Sequence, residues 1–67
     1  MSHKTNTFQV KFIRDYRTKM GIAFEKGDTV KASDAVIAGV QHLGYLNAYS
    51  RLNQVWTHFS QHAVRYL

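Results

Sequence analysis

Cysteine and proline are both absent from the 67 residues, and only four carboxylate side chains occur. Without cysteine there is no disulfide staple and no thiolate for the commonest structural zinc sites. Asp15, Glu25, Asp28 and Asp34 stand against nine Lys/Arg, which leaves few groups for acid–base work or for a hard metal ion. No low-complexity stretch and no internal repeat is present, which excludes solenoid and linker-rich architectures. No apolar run approaches the roughly 20 residues a membrane-spanning helix requires, and no signal-peptide pattern opens the chain. A soluble protein without a membrane partner, located in the cytoplasm, is expected.

What remains is one small basic domain over residues 1–67, with 45% hydrophobic residues and a formal net charge of +5. A chain of this size buries only about 60% of the surface its unfolded form exposes, so its core is thin and self-association is a natural supplement. The charge is unevenly placed. Lys4, Lys11, Arg14, Arg17, Lys19, Lys26 and Lys31 precede residue 32, whereas beyond it only Asp34, Arg51 and Arg65 are charged. A basic half suits an anionic partner, DNA or RNA included, and a neutral polar half suits a protein contact.

Residues 1–6 read as a loose terminus with His3 and Lys4 as a basic arm. Over residues 7–32 a two- or three-stranded antiparallel meander is expected. A half-buried strand runs from Thr7 to Tyr16, in which Phe8, Val10 and Phe12 alternate with Gln9 and Lys11, and Ile13 breaks the alternation as a bulge or as a strand buried on both faces near its end. Arg17 to Gly21 forms a turn, and Lys26-Gly27-Asp28 forms another. Over residues 33–67 two helices are expected. Ser33 or Asp34 caps the first, Val36, Ile37, Val40 and Leu43 follow at helical spacing, and Gly44 ends it. Asn47 caps the second, in which Tyr49, Leu52, Trp56, Phe59, Ala63 and Tyr66 recur at steps of three and four, like a coiled-coil seam. The fold class is therefore α+β, a small antiparallel sheet covered by two C-terminal helices.

His58 and His62, four apart on that helix, have the spacing of two metal ligands, but no Asp, Glu or Cys nearby completes a site, so two exposed polar histidines are the better reading. No Ser-His-Asp set has a pocket to work in, and neither an enzyme nor a cofactor is expected. Lys11, Arg14, Arg17 and Lys19 around Tyr16 form a basic ribbon able to meet phosphates while the tyrosine stacks on a base. Leu52, Trp56 and Phe59 are assigned to the core. Tyr49, Asn53, Trp56, His58 and Tyr66 rim an uncharged face suited to a protein interface, including a homodimer through a short antiparallel helix pair.

The segments Val10 to Arg17, Lys26 to Val30, Ser33 to Ala35 and Leu43 to Tyr45 together resemble short phage and prophage accessory proteins, in which an aromatic-basic strand leads to a Lys-Gly-Asp turn and a short helix ending in Gly. The resemblance covers about half the chain, and the amphipathic segment after Gly44 is an addition to it. It implies a small non-enzymatic accessory protein in the host bacterial cytoplasm that binds and modulates a host protein or nucleoprotein complex, as a host-takeover or anti-defence inhibitor does. The alternative is a DNA- or RNA-binding regulator acting through the basic ribbon.

Overall fold

Alternation of apolar and polar side chains, not a three-four spacing, organises the computed structural model, which describes residues 7–67. The loose terminus expected over residues 1–6 lies outside the described residues. Strand β1 is Phe8–Phe12, with Val10 and Phe12 buried and Gln9 and Lys11 exposed. It stops at Phe12, short of the Tyr16 expected: Ile13 sits in a bend, exposed, and its N–H donates to the Ala63 carbonyl at 3.1 Å. Ile13 is thus neither a bulge nor a residue buried on both faces.

The turn expected over Arg17 to Gly21 narrows to Lys19-Met20 and joins β2 (Tyr16–Thr18) to β3 (Gly21–Phe24), and Gly21 takes a φ of 108° that a side chain would strain. The Lys26-Gly27-Asp28 turn is built from carboxylates. Asp28 accepts the Glu25 N–H at 2.9 Å, and Asp15 reaches across to accept the Lys26 N–H at 2.7 Å. Two of the four acids thereby satisfy backbone donors that a tight turn leaves open.

Beyond Asp28 come β4 (Thr29–Ile37), β5 (Val40–Ser50), β6 (Val55–Ser60), one 3-10 turn (Gln61–Ala63) and β7 (Val64–Tyr66). Five strands form one antiparallel sheet in the order β6-β5-β4-β1-β7, and β2 and β3 form a separate hairpin. The expected meander is therefore not formed: its first strand is split into β1 and β2, and β1 lies between β4 and β7 and does not pair with β2.

The α+β assignment with two C-terminal helices is overturned: no α-helix occurs among the described residues, and nearly all of residues 33–67 are strand or turn. In place of the first helix, β4 runs on to Ile37 and reverses at Ala38-Gly39. Both residues have positive φ, 51° and 78°, the backbone of a two-residue type I′ hairpin. Gly44 does take the left-handed conformation expected of it, φ 82°, but inside β5. There the register slips: Val36 pairs Gln41 while Asp34 pairs Leu46, so β5 spends extra residues against a short advance of β4. In place of the second helix, Val55, Thr57 and Phe59 face one way and Trp56, His58 and Ser60 the other. That stretch is rich in β-branched and aromatic residues and contains no Ala, Glu or Lys to favour a helix.

The core lies between the sheet and the β2–β3 hairpin. Phe12 stacks on Phe24 at 4.4 Å between centroids, and Phe59 closes on both at 4.9 and 5.6 Å. Val10, Ala32, Leu46, Ala48 and Val64 surround the rings. Leu52 and Trp56, assigned to the core with Phe59, are not in it: they are 57% and 63% exposed, whereas Phe59 is 1% exposed. Three hydrogen bonds pin the hairpin to the sheet. The Ser50 hydroxyl donates to the Ala23 carbonyl at 2.8 Å, Asn53 Nδ2 to Thr18 Oγ1 at 3.1 Å, and the Tyr16 hydroxyl to the His58 carbonyl at 2.9 Å.

Candidate functional site

The residues expected to form a basic ribbon are divided between the two sides of the molecule. Lys11 alternates with the buried Val10 and Phe12, so it stands on the outer sheet face, turned away from the hairpin. Arg17 and Lys19 belong to the hairpin, which covers the opposite face. Arg14 Nη2 donates to the His62 carbonyl at 3.2 Å. Tyr16 is half-buried, its ring edge-on to Phe59 and its hydroxyl bonded to His58, so it is a lid on the core and not a stacking platform.

The expected protein interface is also partly regrouped. Tyr49 and Trp56 face each other across β5 and β6 with ring centroids 5.7 Å apart in an edge-to-face pair, and His58, opposite Asn47, is next on the same outer face. These three remain together. Asn53 sits in the β5–β6 turn, where its N–H donates to Ser50 Oγ and its side chain to Thr18, so its work is structural. Tyr66 lies opposite Val10 at the other edge of the sheet and stacks on Phe8 at 5.2 Å, away from Tyr49 and Trp56. The helix pair imagined for a homodimer has no helix to form it. His58 on β6 and His62 in the 3-10 turn no longer share a helical face, and no group of three or more metal-ligating side chains occurs among the described residues.

Two surfaces that residue order alone did not reveal come from the pairing. The first is the outer sheet face. Lys11 pairs with Thr29 on one side and Arg65 on the other, and Gln9 pairs with Lys31. A groove of about 740 Å³ adjoins this row; Gln9, Thr29, Lys31, Tyr49, Arg51 and Trp56 line it, and it reaches Ala23 and Phe24 of the hairpin and the half-buried Val30. The second is the distal part of the β4–β5 hairpin. Among the described residues β1 pairs with β4 only as far as Ala32, and β6 pairs with β5 only from Tyr45 onward, so no third described strand lies beside residues 36–44. This arm exposes Val36, Ile37, Val40 and Leu43, the last at 85%, and Tyr45 is exposed at its root. From Ala35 to Ser50 the chain has no Asp, Glu, Lys or Arg. A shallow apolar hollow of about 220 Å³, lined by Ala35, Ile37, His42, Tyr45 and His58, lies at the base of the arm.

No protein-family model, no curated protein and no solved structure matches the chain.

Proposed function

We propose that this chain is a small non-enzymatic accessory protein of the phage type that binds and modulates a macromolecular complex of a bacterial host, and that the β4–β5 arm makes the contact with the partner protein. One observation carries the reading: a two-stranded arm that shows five large apolar side chains to solvent and no charge. Isolated exposed apolar residues are ordinary, but Ile37 and Val40 pair directly across a hairpin that carries three further exposed large apolar side chains and has no third described strand beside it, which leaves a surface that needs covering. The hollow at its base offers a concave seat for one partner side chain, as interface anchors require. Ala35 is fully buried where β4 leaves the sheet, so the arm has a firm root.

The test is a paired capture from bacterial lysate after nuclease treatment, with the wild type and a Val40→Asp/Leu43→Asp variant. Both positions are exposed, so the variant should keep the wild-type circular dichroism and melting temperature within the small range of surface changes, about 0.5 kcal/mol. A host protein retained by the wild type and lost by the variant is the expected result. Equal retention by both, or a capture that disappears with the nucleic acid, would reject the arm as the docking element.

A further inference from the structure

We infer that the outer sheet face and the groove beside Trp56 form a binding site for a single strand of nucleic acid. The site lies apart from the arm and does not depend on the arm's role. It is assembled from all five strands of the sheet. Arg65 of β7, Lys11 of β1 and Lys31 of β4 project from the face turned away from the hairpin, each alternating with buried neighbours or paired to one that does. Arg51 joins the groove from the β5–β6 turn, and Tyr49 and Trp56 supply its aromatic wall.

Charge complementarity selects the occupant. Three cations cross the sheet and a fourth lines the groove, while the one carboxylate in the groove wall, Asp28, already has an oxygen engaged by the Glu25 N–H. Like charges on neighbouring strands, as Lys11 and Arg65 are, repel one another, and a polyanion laid across them relieves that repulsion. The aromatics distinguish a nucleic acid from an acidic peptide or a free phosphate. Trp56 is 63% exposed even though it meets Tyr49 edge-to-face, so much of its indole is accessible beside the cations. A basic track with an exposed ring is how proteins hold single strands: phosphates meet the cations and an unpaired base stacks on the ring. Base pairs in a duplex keep their faces stacked on each other and cannot use the ring. Gln9 and Thr29 add uncharged donors along the same track. The site uses phosphates and base faces common to DNA and RNA.

Trp56 is the chain's single tryptophan, so its fluorescence reports on this groove alone. Short oligo-dT and oligo-U strands are titrated into the purified full chain, beside a duplex of equal length and polyglutamate. Quenching by either single strand is expected, with the duplex and polyglutamate at least about tenfold weaker, the scale of one lost stacking contact. The affinity should fall with salt at a slope of about 0.7 per phosphate contact. A Lys11→Gln/Lys31→Gln/Arg65→Gln variant should reduce that slope by about two and the affinity at low salt by more than tenfold. An Arg14→Gln/Arg17→Gln/Lys19→Gln variant removes the same charge from positions outside the groove lining and the Lys11–Lys31–Arg65 row, and should bind within about threefold of wild type, a margin that separates position from net charge. Equal weakening by the two triple variants would overturn the site, as would tighter binding of polyglutamate or of the duplex. A difference between oligo-dT and oligo-U identifies which strand is the natural ligand. Circular dichroism of each variant, all at exposed positions, confirms that the fold is retained.

Discussion

A Phe12→Ala variant is expected to show no cooperative melting transition near room temperature, while Trp56→Ala melts within a few degrees of the wild type. Phe12 is 1% exposed and touches both other rings of the core, stacked on Phe24 and tilted against Phe59. Truncating a buried Phe costs about 3–5 kcal/mol through lost transfer energy and the cavity left behind. At roughly 0.05–0.15 kcal/mol per residue, a domain of this length has about 3–10 kcal/mol to lose. Most of it is spent at one position. Trp56 is the larger side chain, but it lies on the outer face, where a substitution changes stability by about 0.5 kcal/mol or less. Far-UV circular dichroism against temperature separates the two outcomes. Unfolding of Trp56→Ala to the same extent as Phe12→Ala would place the indole inside and remove the groove with it.

Ser50→Ala is the second large effect, because the Ser50 hydroxyl serves two partners from a fully buried position. It donates to the Ala23 carbonyl at 2.8 Å and accepts the Asn53 N–H at 3.1 Å. One atom therefore joins β5, the hairpin and the β5–β6 turn. Alanine fits the space but leaves a carbonyl and an amide without their partner, at about 1–3 kcal/mol. For a domain of this size each kcal/mol lowers the melting temperature by about 4–8 °C. Hydrogen exchange should speed up first in Gly21 to Phe24, the segment that the hydroxyl holds down. A melting temperature unchanged in Ser50→Ala would mean that ring packing alone retains the hairpin.

Local chemistry made the first third of the chain legible. The alternation through Phe12, the left-handed Gly21 and the Lys26-Gly27-Asp28 turn are all properties of neighbouring residues, and all are present in the structure. The second half misleads for a physical reason. Val36, Ile37, Val40 and Leu43 satisfy helical spacing, yet a reversal at Ala38-Gly39 places Ile37 directly opposite Val40. Alanine at a positive φ is a weak turn signal, and only the β-branched neighbours argue for strands. Tyr49 and Trp56, seven apart, fit a heptad seam equally well as a cross-strand pair around a four-residue turn. Phe59, in the same seam, points into the core instead. The outer face was least legible, since Lys11, Lys31 and Arg65 lie far apart in the chain and meet only through long-range pairing. The sequence groups Tyr49 and Trp56 in a protein interface and Lys11 in the basic ribbon, and only the strand pairing puts them on one face with Lys31 and Arg65.

The place of β1 in the sheet bears on how the chain is made. β1 is flanked by β4 and β7, and Val10 faces Tyr66 across the ladder. During synthesis the N-terminal strand emerges first but lacks one of its two neighbours until nearly every other element has followed. Its apolar side, Val10 and Phe12, and the uncharged strands of the arm are therefore uncovered together in the nascent chain. Closing a loop of such length is slow compared with local hairpin formation, and the exposed interval favours aggregation. The β2–β3 hairpin, complete by Phe24 and closed by its own tight turn, can form early and shelter Phe12 while β7 is still to come. A hairpin that serves in the finished molecule as one wall of the core would then act, for a newborn chain, as a temporary cover.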